Sequence, residues 1–396
     1  MQTAYSEIVL PLLRWQPLPS TVFGPVKGTS PSLADWIERR AGQLKPKSAA
    51  LRSVAEDCPG LVDNTPPVLA LPRMPAQLLK QSRHRTPRLY VAALRNARLA
   101  TRFIEVIGPH DRLFDDLEYL AAGENYRASS LLRPRLPGLR RHRGTFAIIC
   151  TGRALNYYHW LNDCLTRLWL LDQQPEQRFR LIIPDRVFPF HTESLNLLGW
   201  HGDRLARFGE EHWEVENLLV PSLTNQASHS NPMACRWLRT KLLNATGAGA
   251  TSKPLRLYIS RRLATKRRLL NEPEIIAALK KFGFQEIAGE QLSFADQVRL
   301  FSTAEVVVGP HGAGFSNVMF MPAGGLLVEL NPFRRVKPCY FSLASAVGVR
   351  YACVTDAPDA PDVPEDSAET PGEYQSEQDF TVPVQRVRQA LSQLGF

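Results

Sequence analysis

Short apolar runs separated by helical patterns dominate residues 255–354, and this alternation constrains the fold more than any other feature of the chain. Each run has the length and the Val, Ile and Leu content of a strand that is buried on both faces. The predicted strands are LRLYIS (255–260), FQEI (284–287), EVVVG (305–309), LLVEL (326–330) and VRYACV (349–354). The predicted helices are 272–282, 293–303, 312–320 and 337–346. This order predicts a doubly wound α/β domain with a parallel sheet.

The first half of the chain contains a similar alternation. Its predicted strands are TFAIIC (145–150), RLIIP (180–184) and NLLVP (217–221), and its predicted helices are 156–171, 191–199 and 231–245. Residues 88–108 alternate apolar and polar side chains, as a half-buried antiparallel meander does. We therefore expect two Rossmann-like domains that face each other across a cleft, with ligands beyond the carboxyl ends of the strands.

Proline and glycine mark the predicted boundaries. Residues 1–87 hold 12 of the 31 prolines, which favours an irregular arm, and TGAGATSKP (246–254) is typical of a linker. The predicted parts are an N-terminal arm at 1–87, an N-terminal domain at 88–250, a C-terminal domain at 251–354, and an acidic, Pro-rich linker with a closing helix at 355–396.

The charge of the chain favours anionic partners. The net charge is +10, and nine acidic but no basic residues lie between Arg350 and Arg386. The rest of the chain therefore has 48 basic against 29 acidic residues, a net charge of +19. Such a body suits nucleotide diphosphates, nucleic acid or an anionic membrane surface, and charge alone does not choose among them.

Cysteine spacing and hydropathy exclude other classes. The six cysteines include no C-x-x-C pair, so we expect reduced core residues and no zinc knuckle. No apolar run reaches the roughly 18–20 residues that span a bilayer, and the N-terminus lacks the layout of a signal peptide. We expect the chain to stay in the compartment where it is made.

The segment VVVGPHGAGFSNVMFMPAGGLLVELNP (306–332) contains the most informative pattern. A buried strand runs into His311-Gly312-Ala313-Gly314 and then into a helix, an arrangement that favours an anion at the first helical turn. A tight turn without a ligand is the alternative that the glycines alone leave open. Glu329 ends the next strand, where a carboxylate can accept hydrogen bonds from a ribose.

Basic residues follow the strand at 255–260. Arginine recognises phosphate through two parallel hydrogen bonds, so we favour Arg261 and Arg267 as diphosphate ligands, with Arg262 as the alternate. A solvated basic face is the alternative reading of this segment.

A histidine and an aspartate lie four residues apart in NYYHWLNDCLTRLWLL (156–171). His159 and Asp163 therefore share a helical face, with Asn156 one turn earlier. Such a pair can act as a general base, with either member taking the proton. A buried pair that satisfies its own hydrogen bonds is the alternative. Two ligand-type residues without a third predict no metal site.

Taken together, NYYHWLND, YISRRLATKRRLLNE and LSFADQVRLFSTAEVVVGPHGAGFSNVMFMPAGGLLVELNP resemble the family 61 glycosyltransferases over roughly residues 88–335. The resemblance implies a GT-B-like fold, with an acceptor-side domain at 88–250 and a nucleotide-sugar-binding domain at 251–354. It also implies an inverting, metal-independent transfer from a nucleotide sugar, UDP in the first instance, with no cofactor.

The resemblance assigns roles to residues at matching positions. The catalytic pair would be His159 and Asp163, with Asn156 and Tyr158 on the acceptor side. The donor-binding residues would be Arg261, Arg267, Arg262, His311, Gly312, Ala313, Gly314, Asn317 and Glu329.

The expected partners are a nucleotide-sugar donor and a glycan or lipid-linked glycan acceptor, with no nucleic acid. We expect a cytoplasmic protein that associates peripherally with the anionic inner face of the cell membrane and serves capsule-polysaccharide biosynthesis. The alternative functions are a non-catalytic binder of polyanions and a sugar-nucleotide epimerase of similar fold.

Overall fold

The computed structural model describes residues 26, 28–40, 49–53, 58, 60–117, 130, 135–173, 178–209, 211–225, 228–248, 253–333, 336–357 and 378–396. Within the chain, two compact units are distinguished. The first unit comprises Met1–Cys58 and Pro87–Ala227, and the second comprises Pro59–Thr86 and Ser228–Phe396. Parts of the predicted arm, of the 246–254 linker and of the acidic linker lie outside the described residues, namely 1–25, 249–252 and 358–377.

The strands, in chain order, are β1 (Gly28–Ser30), β2 (Ala49–Ser53), β3 (Leu61–Asp63), β4 (Leu69–Leu71), β5 (Arg83–Arg85), β6 (Tyr90–Ala100), β7 (Glu105–Ile107), β8 (Arg112–Phe114), β9 (Leu139–Ile148), β10 (Arg180–Pro184), β11 (Leu205–Phe208), β12 (His212–Pro221), β13 (Leu255–Ile259), β14 (Phe284–Ile287), β15 (Ala304–Pro310), β16 (Leu326–Asn331) and β17 (Arg350–Thr355).

The α-helices are α1 (Leu33–Arg40), α2 (Ala76–Leu79), α3 (Tyr157–His159), α4 (Leu168–Asp172), α5 (Pro189–Leu197), α6 (Pro232–Thr246), α7 (Glu272–Lys280), α8 (Phe294–Phe301), α9 (Cys339–Val347) and α10 (Val384–Gln393). A π-helix covers Trp160–Cys164, and 3₁₀ helices cover Pro109–Asp111, Leu165–Arg167, Gly202–Arg204, Gly289–Gln291 and Ala313–Phe320.

The first unit contains a mixed sheet of order β11-β10-β9-β12-β6-β2, with β7 paired to β6. Strands β9 to β12 run parallel, whereas β6 pairs antiparallel with β12, β2 and β7. The antiparallel meander predicted for residues 88–108 is therefore confirmed as β6 and β7. The carboxyl ends of β9, β10 and β12 share one edge of the sheet, and the segment with His159 leaves from that edge.

The second unit contains a sheet of order β14-β13-β15-β16-β17-β4 in which every pair is parallel. Its five strands at 255–355 are those that the apolar runs predict. Val328 and Leu330 face the apolar cluster formed with α7 and α10. Because side chains alternate along a strand, Glu329 faces the opposite side of the sheet.

The structure divides the chain at other residues than those predicted from its composition. Residues of β4 lie in the predicted arm, yet they pair with β17 at the edge of the second sheet. Helix α6 precedes the predicted boundary, yet it belongs to the second unit. Proline and glycine content indicates only local turns. The pairing of β4 with β17, almost 300 residues apart in the chain, depends on tertiary contacts.

The cysteines of the chain are all free thiols, and five of them are buried, which confirms the prediction of reduced core residues. The helices of the described residues include none that is long and apolar enough to cross a membrane. The α/β class and the parallel sheet of the second unit are likewise confirmed, whereas the sheet of the first unit is mixed.

Candidate active site

Two clusters of predicted residues occupy the carboxyl ends of strands, one in each unit. We call the residues around His311 in the second unit the His311 cluster. His311 directly follows β15, and its backbone N–H still donates to the carbonyl of Leu330 at 3.0 Å. This bond extends the pairing of β15 with β16, in which Gly309 lies opposite Glu329. The imidazole is thereby held beside the carboxylate.

Glu329 is completely buried and both of its oxygens have protein partners. Oε1 lies 2.5 Å from His311 Nδ1, and Oε2 accepts a hydrogen bond from the Tyr351 hydroxyl at 2.6 Å. The Glu329 side chain has 0% exposure, whereas that of His311 keeps 10%. The Glu329 carboxylate therefore does not face a ligand itself, and His311 is the partly exposed member of the pair.

Arg261 and Arg267 lie near the same turn, and the guanidinium group of each is only partly satisfied. Each is half-buried, and the Nε atom of each is sealed from solvent without a hydrogen-bond partner among the described residues. Arg261 Nη2 donates to the carbonyl of Lys266 at 3.0 Å. Burial, followed by the nearby positive charge of Arg267, lowers the pKa of Arg261. Two adjacent cations without a carboxylate partner are a favourable environment for an anion.

The backbone at Arg267 is strained. Its φ of 55° lies in the left-handed region, which costs a non-glycine residue about 1–2 kcal/mol. Strain of this kind persists where the surrounding structure enforces it, and it is often found at functional sites.

The turn at Gly312 allows Arg261 to approach. A Cβ atom at Gly312 would lie 2.1 Å from Arg261 Nη1 and 3.0 Å from its Cζ. At Gly314 a Cβ would lie 3.3 Å from Ile259 Cγ2. The residues that follow form a 3₁₀ helix beginning at Ala313 rather than the predicted α-helix at 312–320. Its first amides are among the donors that a helix leaves unpaired, as the anion prediction requires.

Buried polar side chains support this turn from behind. Glu272 Oε1 accepts from the Arg261 backbone N–H at 2.9 Å and from the Tyr258 hydroxyl at 3.0 Å. Asn317 Nδ2 donates to Gln297 Oε1 at 2.7 Å. Asn317 is 1% exposed, so its side chain fixes the 3₁₀ helix to α8 instead of facing a ligand.

Arg262 lies apart from the His311 cluster. Its guanidinium is exposed and forms an ion pair with Glu286 of β14 at 3.0 Å. Exposed pairs of this kind contribute about 0–1 kcal/mol. The alternative reading of this segment, a solvated basic face, therefore holds for Arg262 but not for Arg261 and Arg267.

The second cluster, in the first unit, contains His159 and Asp163. Asn156 caps the helix: its side chain accepts from the backbone N–H groups of Tyr158 at 2.9 Å and His159 at 3.4 Å. Asp163 Oδ2 lies 2.6 Å from His159 Nδ1. The aspartate side chain is 1% exposed and the histidine 15%. The predicted pair therefore forms, and Tyr158 is buried beside it.

The chain around Asp163 departs from a regular α-helix. Residues Trp160–Cys164 form a π-helix, a conformation that is frequent at functional sites. Asp163 Oδ1 is buried without a partner among the described residues. One turn later, Arg167 is 1% exposed and donates to the carbonyls of Ile149 at 2.9 Å and of Pro221. This buried cation joins the ends of two strands.

Sequence reasoning missed three residues that complete these clusters: Tyr351, Glu272 and Arg167. The only local signal for Tyr351 is an aromatic hydroxyl within a predicted strand. Arg167 is four residues from Asp163 and so shares its helical face, a signal that the sequence does contain. Within the described residues, no group of three or more His, Cys, Asp and Glu side chains converges as a metal site.

Comparison with known proteins identifies a region that holds most residues of both clusters. Residues 157–328 match the family model described as Glycosyltransferase 61. The chain is 37% identical over 99 residues to the EGF domain-specific O-linked N-acetylglucosamine transferase of Drosophila melanogaster, covering 24% of this chain and 18% of that protein. The protein of the same name from Canis lupus familiaris is 32% identical over 114 residues, which is 28% of this chain and 21% of that protein.

The chain thus spans about a fifth of the length of the curated relatives it matches. The matched region includes His159, Asp163, Arg261, Arg267 and His311. The resemblance recognised in the sequence is therefore confirmed: residues 157–328 match the glycosyltransferase 61 family model, and the curated relatives that the chain matches are named as transferases.

Proposed function

We propose that this chain transfers a sugar from a nucleotide-diphosphate donor to a hydroxyl group of a glycan, with inversion at the anomeric carbon and without a metal ion. The observation that carries the proposal is the pair of adjacent arginines, Arg261 and Arg267, whose guanidinium groups are only partly satisfied and whose side chains remain partly exposed. A diphosphate supplies the acceptors that these groups lack. Hydrogen bonds to charged groups contribute about 1.5–3 kcal/mol each.

The same arginines would stabilise the leaving group. Negative charge accumulates on the nucleoside diphosphate as the bond to the sugar breaks. Preorganised donors aimed at such developing charge are worth about 2.7–4 kcal/mol each where they have been removed from other enzymes. Arg261 and Arg267 thus fill the role that a divalent cation fills elsewhere, which is the basis for proposing a metal-independent reaction.

His159 would serve as the general base. Asp163 is almost completely buried, whereas His159 keeps part of its ring exposed, so the imidazole is the member that an acceptor hydroxyl can reach. Asp163 on Nδ1 sets the tautomer and stabilises the imidazolium that forms. The contribution expected of such a base is about 10²–10⁴-fold in rate. Direct attack by the activated hydroxyl inverts the anomeric centre.

UDP-N-acetylglucosamine is the first donor to test, because N-acetylglucosamine appears in the names of the relatives. We further propose a GT-B-like organisation with the donor in the second unit. The proposed acceptor is a glycan or lipid-linked glycan of surface polysaccharide biosynthesis at the inner face of the cell membrane. The excess of basic residues supports association with an anionic surface.

Calorimetric titration with UDP, with EDTA present, tests the donor site. Arg261→Ala and Arg267→Ala should each weaken binding at least tenfold. Arg262→Ala is the matched control and should bind as the wild type does, since Arg262 pairs with Glu286 instead. Equal weakening in all three variants, or binding that requires magnesium, would contradict the proposed diphosphate site.

Transfer assays test the rest of the proposal. His159→Ala should lower kcat by 10²-fold or more with little change in UDP affinity, while the exposed His201→Ala should be active. The product anomer, read by NMR, reports inversion. Isomerisation of the donor without transfer would identify an epimerase. Steep salt dependence with no preference for UDP over UMP would identify a binder of polyanions.

A further inference from the structure

A chain of hydrogen bonds crosses three neighbouring strands of the second unit and ends at His311. The Tyr351 hydroxyl on β17 donates to Glu329 Oε2 on β16 at 2.6 Å, and Glu329 Oε1 lies 2.5 Å from His311 Nδ1. Tyr351 is 2% exposed and Glu329 is completely buried. The network thus places a buried carboxylate directly behind the histidine.

The network fixes where the protons lie. Burial raises the pKa of Tyr351 well above its ordinary value, so its hydroxyl keeps its proton and donates. An ionised Glu329 can only accept, and it therefore accepts from His311 Nδ1 as well. Nε2 becomes the ring nitrogen left for a ligand. Among the described residues, no hydrogen-bond partner approaches Nε2.

The surroundings of His311 disfavour the imidazolium form, in which both ring nitrogens are protonated. Burial is the first cause that lowers its pKa, and the positive charges of Arg267 and Lys337 act in the same direction, against the pull of Glu329. The Tyr340 ring, 5.1 Å away between centroids, adds an uncharged wall. Among the described residues, Arg261 is a further charged neighbour, and it packs on Gly312. A neutral ring with its proton on Nδ1 presents a hydrogen-bond acceptor at Nε2.

An acceptor at this position selects the group that it can bind. A phosphate oxygen is itself an acceptor, so it cannot form a hydrogen bond with a neutral Nε2, whereas a hydroxyl can donate one. Acceptors at strand ends beside a phosphate site bind ribose hydroxyls in other nucleotide-binding sheets. The arginines would thus contact the phosphates of the nucleotide, and the histidine would contact the ribose next to them.

We propose that Glu329 and Tyr351 are positioning residues that hold His311 as a neutral hydrogen-bond acceptor for a ribose hydroxyl of the nucleotide donor. The inference rests on the proposed function, because it presupposes that a nucleoside diphosphate binds to the His311 cluster. It goes further in assigning to His311 the recognition of ribose and in assigning roles to two residues that cannot touch the ligand themselves.

Calorimetry with UDP, 2′-deoxy-UDP and 3′-deoxy-UDP tests the inference. On the wild-type protein, loss of one of the two hydroxyls should weaken binding about tenfold, the expected size for a hydrogen bond that leaves a buried acceptor unpaired. On His311→Ala the same analogue should bind as UDP does. Glu329→Gln should reduce the discrimination, because its amide can donate to Nδ1 and so move the ring proton to Nε2, where it can bond a phosphate oxygen as well as a hydroxyl.

Two further variants distinguish a role in positioning His311 from a general loss of structure. Tyr351→Phe keeps the shape of the ring but releases Glu329, and it should reduce the discrimination between UDP and the deoxy analogue. Glu286→Gln, a matched change on β14, should leave it unchanged. Melting temperatures identify any variant that is unfolded, and Tyr351→Phe then tests the inference in place of Glu329→Gln.

The pH dependence supplies an independent readout. The ratio of UDP affinities of wild type and His311→Ala should stay constant from pH 6.5 to 8.5 for a neutral acceptor. A ratio that shrinks toward 1 as the pH rises would indicate an imidazolium bound to phosphate and would overturn the inference. Equal losses for the deoxy analogues on wild type and His311→Ala would do the same. Absence of any UDP binding to the wild type would instead refute the proposed function.

Discussion

Gly312→Ala is expected to weaken nucleotide binding, and the cause is the displacement of the Arg261 side chain alone. The new Cβ would lie 2.1 Å from Arg261 Nη1, so the guanidinium has to move. The backbone itself accepts alanine, because the φ of −174° at Gly312 is extended. Displacing one guanidinium from a diphosphate removes about 1.5–3 kcal/mol, which is roughly a 10- to 150-fold rise in Kd.

Calorimetric titration with UDP measures this change, and a double-mutant cycle tests its cause. Arg261→Ala should weaken binding by a similar factor, and the combination of Arg261→Ala with Gly312→Ala should cost no more than either change alone. Gly60→Ala in the same unit is the matched control, since a Cβ there would meet nothing within 4 Å.

Three results would refute this reasoning about Gly312. One is wild-type affinity for UDP in the folded Gly312→Ala variant. Another is a double variant with Arg261→Ala whose loss equals the product of the two single losses. A large fall in Tm would also contradict it, because the clash involves the movable end of a side chain rather than the core.

Other parts of the structure predict further outcomes. Glu272→Gln should weaken UDP binding severalfold while Arg261 remains present, because it loosens the backbone that presents the guanidinium, and calorimetry checks this. Burial, reinforced by the stacked ring of His84, lowers the pKa of His229 to about 4. The unfolded chain takes up that proton near pH 6.5, so the free energy of unfolding should fall by at most about 3 kcal/mol as the pH drops from 6.5 to 4. Urea denaturation should show a smaller fall in His229→Gln. Arg167→Met should lower the free energy of unfolding by about 2 kcal/mol or more, because it leaves buried carbonyls without a donor, and the same denaturation experiment measures it.

Local patterns in the chain were sufficient to predict the elements that carry the site. Apolar runs of strand length located β13 and β15 to β17, because a strand buried on both faces needs such residues throughout. The spacing of four between His159 and Asp163 predicted their contact, since the helical repeat places such residues on one face. The glycine turn after β15 predicted the close approach of an anionic ligand, and the structure shows in addition that Arg261 packs against Gly312.

Tertiary contacts decided what each of these residues faces. The sequence places Glu329 at a strand end, but only the register of β16 against β15 and β17 turns it inward between His311 and Tyr351. Which of Arg261 and Arg262 belongs to the His311 cluster likewise depended on tertiary contacts. The guanidinium of Arg261 packs on Gly312, whereas that of Arg262 pairs with Glu286. The three residues missed from the sequence, including Tyr351, act through partners that are distant in the chain or on other elements.

The sequence by itself determined the α/β class, the carboxyl-end positions of the polar residues and the family, because each depends on periodicity or on a continuous motif. The tertiary structure alone decided that β4 of the proline-rich segment completes the second sheet, and that Arg261 and Arg267 are half-buried with Nε atoms that have no partner among the described residues. Strand order, burial and the pairing of buried charge are set by residues far apart in the chain, and no local pattern contains them.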